Sequence, residues 1–173
     1  MSLTFNLNPG QVAQRKTLIT VAEWTEGGAM MREILGTRTE DSSMELNAEM
    51  ETMTDVRGIT YTDVNKTEPQ QAFDPYLIIG DSKLGAYLSE AVLKNDIQAY
   101  TNFFKVYQIA AFSGDATNGY FTVMHDHCSI IPTAIGGDAK LNMPIEVHFS
   151  NDITVGKVDM LSDDFDFTPD SRI

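Results

Sequence analysis

Cations are scarce in this sequence, cysteine is nearly absent, and no apolar run is long enough to cross a membrane. Twelve Lys and Arg stand against 25 Asp and Glu, a formal net charge of −13 over 173 residues. Stable contact with phosphates needs basic side chains that release counterions. This balance therefore argues against sequence-specific nucleic-acid binding and against attachment to an anionic bilayer. The single cysteine, Cys128, excludes an internal disulfide and fits a reducing compartment. A spanning helix needs roughly 20 consecutive apolar residues, and nothing approaches that. The first residues, interrupted by Asn6, Asn8 and Pro9, lack the basic start and apolar stretch of a secretory signal. That predicts a chain that stays in the compartment where it is made. Glycine-rich phosphate loops are missing as well: Gly27-Gly28 and Gly136-Gly137 have neither dinucleotide-fingerprint nor P-loop spacing. Asp163, Asp164 and Asp166 lack the central glycine and closing glutamate of a calcium loop. No cofactor is expected.

Chemistry-bearing side chains concentrate at one place, His125-Asp126-His127-Cys128. On a regular strand His125 and His127 share a face, which makes them weak candidates for half of a metal site. Cys128 then points the other way, as a small buried hydrophobe rather than a nucleophile paired with histidine. The remaining histidine, His148, is far along the chain. Carboxylates abound, and none is singled out as an acid–base pair. The sequence predicts no catalytic residue, no bound metal and no enzyme.

What is present is an ordinary globular composition, 42% apolar and 21% charged, sized for one domain over residues 1–173. A strand is predicted from Lys16 to Trp24, broken by Gly27-Gly28, with a helical turn over Met30 to Leu35; the first forty residues are otherwise hard to place. From Met44 to Met50 the residues alternate, Met44, Leu46, Ala48 and Met50 apolar, Glu45, Asn47 and Glu49 polar. That period of two marks a strand with one dry and one wet face. It continues to Asp55, turns at Arg57-Gly58, and returns as Ile59 to Val64: a long β-hairpin. Further on, Leu84, Tyr87, Leu88, Ala91 and Val92 recur at the spacing of one buried helix face, capped by Asp81 or Ser82 and ended by Asn95-Asp96. Four strands follow, 103–112, 120–131, 141–149 and 153–161, separated by Gly/Asn/Asp turns, with Pro144 marking an edge or bulge. Residues 162–173 read as a loose acidic tail. The predicted fold is mainly β, a sandwich or barrel of two antiparallel sheets flanked by one helix.

A two-stranded ribbon is marginal alone in water, so its dry face must meet the core or another chain. The candidate contact residues are Met44, Leu46, Met50, Met53, Ile59 and Tyr61. The candidate acidic face comprises Glu45, Glu49, Glu51 and Asp55. Hairpins from several copies, joined edge to edge into a closed barrel, would remove the unpaired edges.

The segment Gln71-Ala72-Phe73-Asp74-Pro75-Tyr76 lies between the hairpin and the helix. The closing run holds Gly136-Gly137-Asp138, Met143-Pro144-Ile145, Ser150-Asn151-Asp152 and Gly156-Lys157-Val158. In their order and spacing, over about residues 40 to 161, these resemble the major tail (tail tube) proteins of long-tailed phages and prophages of Gram-positive bacteria. The resemblance implies two packed antiparallel sheets with one helix and an extended hairpin used between subunits. It implies hexameric rings stacked into a hollow tube. The partners would then be further copies of the chain, other tail proteins such as the tape measure and tail terminator, and double-stranded DNA in transit without specific binding. The location would be the virion tail, with assembly in the host cytoplasm and no membrane involved. Glu45, Glu49 and Glu51 would line the bore, where negative charge lets DNA slide. The alternatives are a head–tail joining or tail-terminator protein forming a single ring, and a small β-barrel binding an apolar ligand between Met44, Leu46, Met50 and Tyr61.

Overall fold

A computed structural model describes residues 2–170, which form eleven β-strands and one α-helix, so the chain is mainly β. Strand β1 (Leu18–Glu26) turns through Gly27-Gly28 into β2 (Ala29–Ile34). Both glycines have positive φ, 58° and 82°, the backbone demanded by a tight hairpin whose twist matches its strands. The expected helical turn at Met30–Leu35 is thus a strand. Its Met-Met-Arg-Glu composition favours helix locally, but pairing with β1, Val21 opposite Ile34 through Glu26 opposite Ala29, overrides that preference.

Strands β3 (Met44–Glu45), β4 (Glu49–Thr54), β5 (Thr60–Lys66) and β6 (Gln70–Phe73) come next, followed by α1 (Lys83–Lys94). The remaining strands are β7 (Phe104–Ala110), β8 (Tyr120–Pro132), β9 (Ile145–His148), β10 (Ile153–Val158) and β11 (Phe167–Pro169). The main sheet runs β2-β1-β7-β8-β9-β6-β3, with β10 against β8 and β11 against β10, all antiparallel.

Strand β8 explains how one sheet becomes two layers. Its first half pairs with β7 and β10, its second with β9. Between the halves, Asp126 and His127 oppose a single β7 residue, and His127 takes φ 56°. Such a bulge bends the strand and sharpens its twist. The bend encloses one core of Trp24, Phe73, Phe104, Ile130, Ile145 and Val147, roofed by Leu84 and Leu88 of α1. A second core, on the other side of β1 and β7, contains Val21, Tyr107, Ile109, Val158 and Phe165. These two strands are therefore covered on both faces, which is why they read as nearly continuous apolar runs.

On α1, Leu84, Leu88 and Ala91 are buried and Tyr87 and Val92 pack partly against the same core. Ser82 caps the helix by accepting from Gly85 N, and Asn95 ends it in the left-handed conformation. Glu33 of β2 strengthens the start, one oxygen accepting from Leu84 N at 2.9 Å and the other from Ser82 Oγ at 2.7 Å and Tyr76 Oη at 3.1 Å. A carboxylate there satisfies an orphan amide and meets the positive end of the helix dipole.

The tail departs from expectation. Up to residue 170 it is not loose: Phe165 is buried, β11 pairs with β10, and Arg32 lies 4.2 Å over the Phe165 ring while donating to its carbonyl at 2.6 Å. Two phenylalanines within the acidic run outweigh its charge. Residues 171–173 lie outside the described part.

Candidate functional site

Strands β4 and β5 form a sheet of their own and pair with no other described strand. Every residue of both strands is exposed. Six residues at about 3.4 Å each give a ribbon on the order of 20 Å long. Its register sets Met50 opposite Val64, Glu51 opposite Asp63, Thr52 opposite Thr62, Met53 opposite Tyr61 and Thr54 opposite Thr60. Asp55 builds the turn: one carboxylate oxygen accepts from Arg57 N at 2.8 Å and from Ile59 N at 3.0 Å. At the tip Val56 is as exposed as in an open chain, 106%.

This arrangement revises the expected hairpin in three ways. First, the strand does not run unbroken from Met44: Asn47 adopts φ 46°, a conformation Asn tolerates better than most residues. Met44 and Glu45 therefore belong to β3, paired with Gln71 and Gln70, and Met44 packs against the main core. Second, the apolar residues occupy both faces. Met50 shares a face with Thr52 and Thr54, whereas Met53 and its partner Tyr61 stand on the face of Glu51 and Asp63. Ile59 sits beside the turn, and Asp55 organises it, so neither belongs to a continuous face; of the four acidic candidates, Glu49 and Glu51 remain together on β4. Third, nothing within the chain covers the expected dry side. Leu46, Met50, Met53, Val56, Ile59, Tyr61 and Val64 are all exposed. Met44, Leu46, Met50 and Tyr61 consequently enclose no cavity, contrary to the ligand-barrel alternative. The larger described depressions, of about 330 Å³ and 380 Å³, lie elsewhere.

The root of the ribbon is firmly held. Glu68 N donates to Leu46 O at 3.0 Å, Asn47 Nδ2 donates to Glu68 O at 3.1 Å, and Lys66 pairs with Glu68. Immediately beyond, Gln71 of β6 is buried in a polar network. Its amide oxygen accepts from Thr20 Oγ1 at 3.0 Å and Gln108 Nε2 at 2.9 Å, and its Nε2 donates to Ser42 Oγ at 3.0 Å. Composition gave no warning of this network, since buried Gln is uncommon.

The histidine pair is separated by the β8 bulge. His125 is buried, its ring edge-on to Phe149 at 4.9 Å and its Nδ1 donating to Ser150 O at 3.2 Å. His127 is exposed, so the two share no face and form no half-site. Asp126, His127 and Asp152 do bring ligand atoms within 4.8 Å of one another. They are already engaged at the surface, His127 Nδ1 hydrogen-bonded to Asp152 at 3.1 Å and Lys105 Nζ 3.8 Å from Asp126. Burial raises the Cys128 thiol to about 11, so it is un-ionised at neutral pH.

Burial also lowers the pKa of His125. Folding therefore favours its neutral form, and that contribution is complete above the unfolded value of about 6.5. It is lost as pH falls from there towards the lower folded value. Thermal melts at pH 7.5 and pH 5 are expected to separate more for the native chain than for His125→Gln. An equal separation would show that His125 does not control this acid sensitivity.

No protein-family model and no curated protein matches the chain by sequence. Two solved structures are similar in fold, both at low identity. A chain in the cryo-EM structure of the anti-feeding prophage baseplate, 6-fold symmetrised, is 14% identical; the match covers 86% of this chain and 97% of that one, at a TM-score of 0.46. A chain of the anti-feeding prophage tube-terminating cap is 10% identical over 88% of this chain and 99% of that one, at a TM-score of 0.44. Likeness of this degree fixes no residue's role.

Proposed function

We propose that this chain is a structural subunit of a phage or prophage tail-like assembly, joined to copies of itself through the β4–β5 ribbon. The observation that carries the reading is the ribbon's exposure: seven large apolar residues from Leu46 to Val64 are each at least 40% exposed. An isolated two-stranded ribbon is marginal in water, and a concentration of exposed apolar side chains on one element marks an interaction site. Both problems disappear once a neighbour covers it. The resemblance of residues 40 to 161 to tail tube proteins supplies the class of assembly, and a net charge of −13 suits a conduit for a polyanion. The finer reading is a tube of stacked hexameric rings through which DNA passes, with other tail proteins at its ends.

Negative-stain electron microscopy of concentrated protein after prolonged incubation tests this. Hollow tubes are the expected result. Single rings that never stack would assign the chain to a terminator or joining position instead. Monodisperse small particles at every concentration, with no ring on mixing with tail extracts, would overturn the reading.

A further inference from the structure

The turn that joins β7 to β8 contains the sequence's one Asn-Gly pair, Asn118-Gly119. An asparagine before glycine is chemically labile, because glycine has no Cβ to hinder attack by its own nitrogen. Gly119 N can attack Asn118 Cγ: an N–Cγ bond forms, the Cγ–Nδ2 bond breaks, and ammonia leaves with the proton lost from Gly119 N. Water then opens the resulting succinimide at either carbonyl, to aspartate or to isoaspartate. Asn118 is exposed, so water has access to it. The fold requires this glycine all the same. Its φ is 85°, and a Cβ there would lie 3.0 Å from Val158 O.

Asp115 engages each group that the reaction uses. The attacking nitrogen, Gly119 N, donates its proton to Asp115 O at 2.8 Å. The leaving group, Asn118 Nδ2, donates to Asp115 Oδ1 at 3.2 Å and to Oδ2 at 3.0 Å, which keeps the carboxamide from rotating. Oδ1 also accepts from Asn118 N and from Thr117 N, both at 2.8 Å. These bonds, those from Asn118 foremost, hold the Asp115 carboxyl below its usual range, so it is ionised at neutral pH. Succinimide formation passes through an oxyanion on Asn118 Oδ1, and a carboxylate bound to the same carboxamide repels that charge. Lys157 acts in the opposite sense. Its Nζ donates to Asn118 O at 3.1 Å and eases deprotonation of the Gly119 amide. That is one contact, against the four by which Asp115 holds Asn118 and Gly119.

We propose that Asn118 is a deamidation site which the Asp115 carboxylate keeps closed in the folded chain. The inference is independent of the assembly reading. Conversion would set a second carboxylate beside Asp115 in place of a hydrogen-bond donor, and the repulsion would open the turn. The N-terminal segment is tied to the same loop, Asn6 N donating to Phe112 O at 3.0 Å and Asn6 Nδ2 to Gly114 O at 2.7 Å. Asp115 therefore guards that attachment as well as the link between β7 and β8.

Prolonged incubation at pH 8, followed by peptide mapping for aspartate and isoaspartate at position 118, tests this. The folded native chain is expected to deamidate there roughly tenfold more slowly than a free peptide spanning residues 113–122. Asp115→Ala, its fold checked by circular dichroism, is expected to lose that protection. Asp115→Asn, which keeps an acceptor oxygen without the charge, is expected to lose part of it. Asn47 and Asn95, both exposed, serve as internal references. A native rate equal to the peptide's overturns the proposal, as does Asp115→Ala converting Asn118 at the native rate. Acceleration in Asp115→Ala that is matched at Asn47 and Asn95 also overturns it, since that marks general loosening of the fold.

Discussion

Excising the ribbon is expected to abolish assembly while leaving the monomer as stable as the native chain. Residues 48–66 can be replaced by an Asn-Gly turn, because β3 and β6 already lie antiparallel, Met44 opposite Gln71 and Glu45 opposite Gln70. With Leu46, Asn47, Thr67, Glu68 and Pro69 retained, the Asn-Gly pair completes a seven-residue connection between Glu45 and Gln70, ample for adjacent antiparallel strands. None of the removed residues is buried, so the excision deletes no core contact. Surface changes of this kind usually alter stability by no more than about 0.5 kcal/mol, which is about 2 °C in melting temperature at this chain length. Sedimentation should show a monomer at concentrations where the native chain forms large particles. Tubes formed by the excised chain would sink the ribbon as the assembly element. A drop in melting temperature above roughly 8 °C would instead show that the ribbon supports its own fold.

The opposite result is expected for Gln71→Ala, a single change two strands from any exposed apolar residue of the ribbon tip. Gln71 is 1% exposed and joins β6 to β1, β7 and Ser42. Truncation leaves the buried Gln108 Nε2 without its acceptor and opens a void, whereas Thr20 Oγ1 keeps Gln108 Oε1 at 3.3 Å and Ser42 Oγ keeps Ala72 O at 2.8 Å. Orphaned buried polar groups cost about 1–3 kcal/mol, with cavity formation added. The expected loss is about 3 kcal/mol, or roughly 10 °C in melting temperature. The adjacent Gln70→Ala, half-buried, is the comparison and is expected to cost under about 1 kcal/mol. Equal losses in the two variants would remove the network from any special role.

How these features read from sequence depends on what competed with the pattern. The face of α1 was legible because Leu84, Leu88 and Ala91 repeat at helical spacing and nothing local opposes it. The β4–β5 turn was legible from Arg57-Gly58, and Gly58 indeed takes φ 78°. Alternation at Met44–Met50 was visible but its meaning was not, because alternation reports a two-faced strand and cannot say what covers the dry face. Asn47 interrupts the run through its backbone, which composition does not record. Strand β2 was misread because Met30-Met31-Arg32-Glu33 favours helix, although Gly27-Gly28 is itself a hairpin signal. The histidines were placed on one face because a bulge shifts parity invisibly.

The bend in β8 has a mechanical consequence. Tension on the ribbon enters the body through β3 and β6, which pair with each other; the other neighbour of β6 is β9, and β9 is paired to the second half of β8. From there the load crosses into the other layer along the covalent backbone of β8, through Asp126 and His127, in parallel with the Gln71 hydrogen bonds to Thr20 and Gln108. The two layers cannot be peeled apart by a pull at that point; the strand they share would have to be drawn out lengthwise, against its pairing with β7 and β10 together.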